Sequence, residues 1–167
     1  QSYICIDSSD IYEEKEHKQN TVMVQELWDH IGEKATDQIT GGGWISSFTG
    51  DPLPAEEMEE YAMNAYKKLS GSLHKDMRVL EIGCSSGLTL SKIAPEVGLF
   101  YGTDLSSVIL EKTRAMVAAC GLTNVKLKNI AAHEISKLEE GDFDLVIINS
   151  VIMYFPGYNY LRKVIKD

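Results

Sequence analysis

The chain has 167 residues, with 16 lysines and arginines against 25 aspartates and glutamates, for a net charge of −9. That length suits one domain with a real core, or a domain plus an extension, and 44% apolar with 25% charged residues excludes a disordered or collagen-like chain. The acidic balance argues against nucleic acid as a partner, and no apolar run approaches the roughly 20 residues of a membrane span. The opening Gln1-Ser2-Tyr3-Ile4 lacks the basic and apolar regions of a signal peptide. Cys5, Cys84 and Cys120 are scattered and make neither a disulfide framework nor a zinc spacing, so a reducing, cytoplasmic setting without a bound metal is expected. A start on Gln1 rather than Met is what a piece of a longer polypeptide would give.

To about Asn20 the chain is polar, and Glu13-Glu14-Lys15-Glu16-His17-Lys18 reads as a solvated helix face or connector. Val24, Leu27, Trp28 and Ile31 then recur at helical spacing, with Gly32 as the expected stop. Gly41-Gly42-Gly43-Trp44 and Thr49-Gly50-Asp51-Pro52 enclose a segment that cannot be regular helix. Pro54 opens the next helix, Glu56, Glu57 and Glu59 load its positive end, and Met58, Tyr61, Ala62, Ala65 and Leu69 form one stripe before Gly71.

After His74 the pattern becomes strand, loop, helix. Strands are predicted at Arg78–Gly83, Leu99–Thr103, Asn124–Asn129 and Phe143–Asn149, the last apolar on both faces as a central parallel strand should be. A helix follows from Leu88 to Ala94, ended by Pro95. A second, capped by Ser106, lines up Ile109, Thr113, Met116, Val117 and Cys120 before Gly121, and Tyr160–Lys166 is a short third. This alternation predicts an α/β fold with a doubly wound, Rossmann-like parallel sheet. Residues 1–71 read as an N-terminal helical extension or lid, and 72–167 as the core.

The chemistry sits in Val79-Leu80-Glu81-Ile82-Gly83-Cys84-Ser85-Ser86-Gly87. A strand runs into a small-residue loop that opens a helix, and Asp104 ends the next strand. Gly83 and Gly87 are expected to let backbone approach a ligand, the helix start offers unpaired N–H groups, and Asp104 is placed to accept both hydroxyls of a ribose. Dinucleotide enzymes want G-x-G-x-x-G so that a pyrophosphate can press on the loop. Here the loop reads G-x-x-x-G with Ser85 at the middle position, which favours S-adenosylmethionine, and Glu81 suits its ammonium group. Cys84 serves by small size rather than as a nucleophile.

Glu81-Ile-Gly-Cys-Ser-Ser-Gly87 resembles the first motif of class I S-adenosylmethionine-dependent methyltransferases, usually E-x-G-x-G-x-G, from which Ser85 departs. In that family Asp104, followed by Leu105, matches the ribose-binding position. Asn129-Ile-Ala-Ala132-His133 is similar to the adenine segment, with His133 where a carboxylate often stands. Phe143-Asp-Leu-Val-Ile-Ile-Asn149-Ser150 resembles the strand that ends beneath the reactive methyl. More narrowly, Gly43-Trp44-Ile-Ser-Ser-Phe48-Thr-Gly50-Asp-Pro-Leu-Pro54-Ala-Glu-Glu-Met58 and Asn149-Ser-Val-Ile-Met-Tyr154-Phe-Pro156 resemble segments of methyltransferase domains embedded in nonribosomal peptide and polyketide synthetases.

The resemblance implies methyl transfer from S-adenosylmethionine, leaving S-adenosylhomocysteine, to an acyl or aminoacyl group on a phosphopantetheine-bearing carrier domain beside other synthetase domains. N-methylation is favoured over O- or C-methylation. Trp44 and Phe48 are expected either to cover the donor and substrate or to plug the sheet, and Tyr154 and Asn149 are candidates on the substrate side, with no general base assigned. His133 is expected beside the adenine, and His17, His30 and His74 in solvent. Four strands are fewer than the seven usual in the family, so further strands are expected to follow in a parent polypeptide. Two other readings stand beside this one: an inactive methyltransferase-like scaffold or docking domain, and a NAD(P)-binding oxidoreductase.

Overall fold

The computed structural model describes the backbone of residues 14–166, with side chains from Val24 onward. The expectations for Cys5, His17 and the charged side chains of residues 13–18 lie outside what is described. Four strands, β1 Arg78–Ile82, β2 Leu99–Asp104, β3 Val125–Asn129 and β4 Leu145–Ile147, form one parallel sheet in the order β3-β2-β1-β4. Val79 is the registration point, opposite Phe100 on one side and Leu145 on the other. From β1 the chain builds outward to β2 and β3, then returns to the far side of β1. The carboxyl ends of β1 and β4 therefore flank the point where the winding reverses, the place where α/β sheets open a crevice.

Among the described residues six helices flank the sheet: α1 Glu14–Lys34, α2 Gln38–Gly41, α3 Ala55–Leu69, α4 Leu88–Ile93, α5 Ser107–Ala119 and α6 Tyr158–Lys166. Strand alternation sorts the core into two layers. Val79, Phe100 and Ile147 face Leu90 and Ile93 of α4, with Tyr66 and Leu69 of α3 and Met116 and Val117 of α5 packed around them. Leu80, Ile82 and Tyr101 face Tyr160 and Val164 of α6, with Ala132 and Ile135 of the 3-10 turn Ala132–Lys137. Helices on both faces make the sheet doubly wound, as expected. Among the described residues no helix is long and apolar enough to cross a membrane, and no cluster of His, Cys, Asp and Glu could hold a metal ion.

Several sequence expectations need correction. Gly32 does not end α1, which runs on to Lys34. It is buried, and a Cβ there would come within 2.9 Å of Ile109 Cγ1, so it is the close-approach point of α1 on α5. Leu27 is half-exposed, and Cys120 is exposed as the residue that caps α5, so neither joins the buried part of its expected stripe. β4 is three residues long rather than seven. Before it, Asp144 still donates its N–H to Arg78 O at 2.9 Å, but its carboxylate takes the Arg78 N–H at 2.8 Å, while Ser150 beyond the strand turns left-handed at φ 54°. Among the described residues β4 is an edge strand, with Val146 49% exposed. Pro54 caps α3, Ser106 Oγ accepts the Ile109 N–H to cap α5, and His30 and His74 are exposed, all as read from sequence.

Candidate functional site

At the end of β1 the backbone turns sharply, with Gly83 at φ 77°, Ser85 at 46° and Gly87 at 83°. The loop is held from β2: the N–H groups of Gly83 and Cys84 both donate to Thr103 O, at 2.8 and 2.9 Å. Asp104 clamps it, accepting the Ser85 N–H at 2.9 Å on Oδ2 and the Ser106 N–H at 2.9 Å on Oδ1. A serine in the left-handed region costs about 1 kcal/mol or more. Here the clamp on its N–H and the Thr113 hydroxyl donating to its carbonyl at 2.7 Å fix it there. The two glycines also make room for neighbouring side chains: a Cβ on Gly83 would come within 2.7 Å of Val151 Cγ2, and one on Gly87 within 2.6 Å of Met116 Cε.

The loop forms the floor of a cavity at the carboxyl edge of the sheet. Glu81, Gly83, Cys84, Ser85, Asp104, Leu105, Ala132, Asn149, Ser150, Trp44 and Tyr154 all line it. Three expected residues do not. Gly87 lies behind the loop as the N-cap of α4. His133 sits behind Ala132, its Nδ1 3.1 Å from the Tyr160 hydroxyl. Phe48 is 99% exposed at the tip of the segment bridged by Ile45 and Pro52, so it neither lids the cavity nor plugs the sheet.

Two carboxylates dominate the electrostatics. Glu81 is 2% exposed on β1, and its Oε2 has no hydrogen-bond partner among the described residues. Burial, and then the Asp104 carboxylate, push its pKa up to about 8, against the pull of the Thr89 hydroxyl. Burial also lifts Asp104, against the opposing backbone N–H groups of Ser106 and Ser85. Cys84 is buried and its thiol is pushed well above its ordinary pKa by burial and by both carboxylates, so it is an inert packing group. No lysine, arginine or histidine is among the described lining residues.

The opposite wall comes from the N-terminal helices. Trp28 of α1 meets Tyr154 edge-on at 5.1 Å, and Trp44 packs on Tyr61 of α3 at 4.7 Å. Gln38 Nε2 donates to Ser86 O at 3.2 Å and Ser86 Oγ donates to Gln38 O at 2.5 Å, a reciprocal tie between α2 and the glycine loop. Ser106 Oγ donates to Asp29 of α1 at 2.5 Å. Trp28, Tyr61, Ile130, Val151, Phe155 and Tyr160 are lining residues that sequence reasoning did not single out for the site. Trp28 and Tyr61 fell on helical stripes that read as core, and their only distinguishing signal was aromatic size beside the Gly43-Trp44 segment. Gln38 carried no signal.

A family model described as "Methyltransferase domain" matches residues 80–167. The protein named "Probable non-canonical nonribosomal peptide synthetase (NRPS) CymA" of Salinispora arenicola is 43% identical over 126 residues, 74% of this chain and 2% of that protein. The chondramide synthase cmdD of Chondromyces crocatus is 38% identical over 125 residues, 74% of this chain and 3% of its own length. The chain thus spans only a small fraction of the curated relatives it matches. Among solved structures, phosphoethanolamine N-methyltransferase 1 of Haemonchus contortus, with phosphoethanolamine and S-adenosylhomocysteine, aligns with a TM-score of 0.67 at 19% identity, over 93% of this chain and 30% of that one. Magnesium protoporphyrin IX methyltransferase of Synechocystis, with S-adenosylhomocysteine, aligns at 0.60 and 18% identity, over 80% and 60%. At these identities the two structures show the fold.

Proposed function

The chain belongs to the methyltransferase domain family, and from that premise we propose that it methylates the amino nitrogen of an aminoacyl group carried as a thioester on a carrier domain of a nonribosomal peptide synthetase. The cavity fits S-adenosylmethionine as the donor. The unpartnered Oε2 of Glu81 is a buried acceptor that a cationic ammonium would satisfy, and Asp104, holding the loop with one lone pair of each oxygen, keeps others for ribose hydroxyls. Leu105, Ile130 and Ala132 form an apolar slot beside it for a flat base. When bound, S-adenosylmethionine supplies a methyl group already activated on a sulfonium. The protein's residues contribute binding and alignment: Glu81 and Asp104 at the donor end, and the aromatic wall of Trp28, Trp44 and Tyr154 where an acceptor enters.

The observation that carries the reading is the absence of any lysine, arginine or histidine among the described lining residues. A free amino acid would add a second small-molecule carboxylate beside that of S-adenosylmethionine itself, with no lining cation to pair with it. An aminoacyl thioester has no such charge. Nitrogen is favoured over oxygen or carbon because a neutral amine needs no base, whereas a hydroxyl or carbon acid does, and the two lining carboxylates, Glu81 and Asp104, are assigned in this reading to the donor. The nonribosomal synthetases among the relatives support the carrier-borne substrate and neighbouring synthetase domains as partners. In this reading residues 1–71 act as a lid over the core at 72–167.

The test has two stages. The chain is first titrated calorimetrically with S-adenosylhomocysteine and with NADH. It is then incubated with S-adenosylmethionine and carrier domains loaded with aminoacyl, β-hydroxyacyl or β-ketoacyl groups, and the carriers are weighed by mass spectrometry. Binding of S-adenosylhomocysteine alone, and a methyl gained only on the aminoacyl carrier, are expected. A methyl on another carrier overturns the choice of nitrogen, preferred NADH binding points to an oxidoreductase, and no binding leaves the scaffold reading.

A further inference from the structure

We propose that Tyr61 positions the acceptor, its phenol oxygen accepting a hydrogen bond from the N–H of the nucleophilic amine; this rests on the amine reading above. Tyr61 is placed rigidly. Its neighbours Met58 and Ala62 are buried, and Glu59 of the same helix pairs with Lys92 of α4 at 2.6 Å, so α3 is fixed beside the glycine loop. The phenol is held on two sides. Its ring packs on Trp44, and its hydroxyl donates to Ser150 Oγ at 2.9 Å, at the left-handed residue just beyond β4. With its proton committed to Ser150, the oxygen faces the cavity as an acceptor.

Most other polar groups of the wall are engaged: Ser86 is tied to Gln38, Thr103 Oγ1 donates to Glu81 O at 3.2 Å, and the Tyr160 hydroxyl meets His133. Asn149 uses its Nδ2 on Thr89 Oγ1 at 3.4 Å, and its Oδ1, on the strand-end wall, is the competing acceptor. The Tyr154 hydroxyl makes no hydrogen bond among the described residues, and its ring is 42% exposed against Trp28, so it is not oriented as Tyr61 is. Burial and the nearby Glu81 hold the Tyr61 phenol above its ordinary pKa, against the Ser150 bond, so it stays neutral and accepts a hydrogen bond rather than removing a proton.

The experiment is a substitution cycle across protein and ligand. Wild type, Tyr61→Phe and Ser150→Ala, each saturated with S-adenosylhomocysteine, are titrated with an aminoacyl-pantetheine thioester and with the matching acyl thioester lacking the α-amino group. Tyr61→Phe is expected to weaken the aminoacyl thioester about tenfold and the des-amino thioester less than about twofold, with S-adenosylhomocysteine affinity unchanged. Ser150→Ala, which removes only the orienting partner, is expected to give a smaller loss of the same selectivity. Equal losses on both thioesters would mean that Tyr61 merely braces α3 and would overturn the proposal, as would weakened S-adenosylhomocysteine binding with acceptor binding intact. Failure of the wild type to bind either thioester would instead strike the functional reading itself, before any substitution is made.

Discussion

On the strand-end wall of the cavity, one carboxylate, Asp104, gathers the N–H groups of Ser85 and Ser106, bonds that stay within one strand–loop–helix unit and its neighbour. The helical wall is assembled from farther away: Gln38 meets a partner 48 residues along the chain and Tyr61 one 89 residues along. The first wall is acidic and fixed by backbone; the second is aromatic and fixed by side chains. Donor and acceptor thus meet surfaces of different construction, and disturbing one wall should leave the ligand of the other largely unaffected.

The largest expected effect is on the acidic wall and is driven by pH. Glu81 titrates near 8 in the folded chain against about 4.5 when unfolded, so between those values the folded state holds the extra proton. Stability is therefore full below pH 4.5 as far as this group is concerned and is lost as pH rises through 8, by up to about 5 kcal/mol. Urea unfolding at pH 5, 7 and 9 should show this slope in the wild type and not in Glu81→Gln; parallel slopes would remove Glu81 as its origin. Next, Asp104→Ala deprives two backbone N–H groups and the ribose of their acceptor. We expect S-adenosylhomocysteine affinity to fall at least about a hundredfold, at two charge-assisted bonds' cost, and a loss under tenfold in calorimetry would break the division between walls.

Trp44→Ala tests the other side. Removing a half-buried indole that packs on Tyr61 should raise the KM for an aminoacyl carrier about tenfold while changing S-adenosylhomocysteine affinity less than about threefold. Similar changes in both would show that the walls act as one. Smallest of all, Phe48→Ala removes a ring that touches solvent almost everywhere, and thermal melting should report a change within about 0.5 kcal/mol.

The acidic wall was legible because its information is local. A strand's apolar run, a glycine turn and an acidic residue one strand later are bound together by a few backbone hydrogen bonds, so spacing alone carries them. The strands and the helix caps at Pro54 and Ser106 were readable for the same reason. Gly32 misled because its burial against Ile109 depends on which helix α1 meets, not on the helix itself. Phe48 misled because a hydrophobic residue in a conspicuous segment gives no sign of which way its loop turns. Tyr61 and Gln38 escaped notice because a side chain that bonds across the fold looks, in sequence, like any member of a stripe or a polar turn.

β4 also offers a border. Among the described residues no strand pairs with its outer edge, and Val146 is 49% exposed, so this is where a further strand, from the same polypeptide or from another copy, would add. A second copy of this chain would bring its own net charge of −9 to that border, and salt, by screening the charge, would ease its approach. Whichever strand takes the border first closes it to every other.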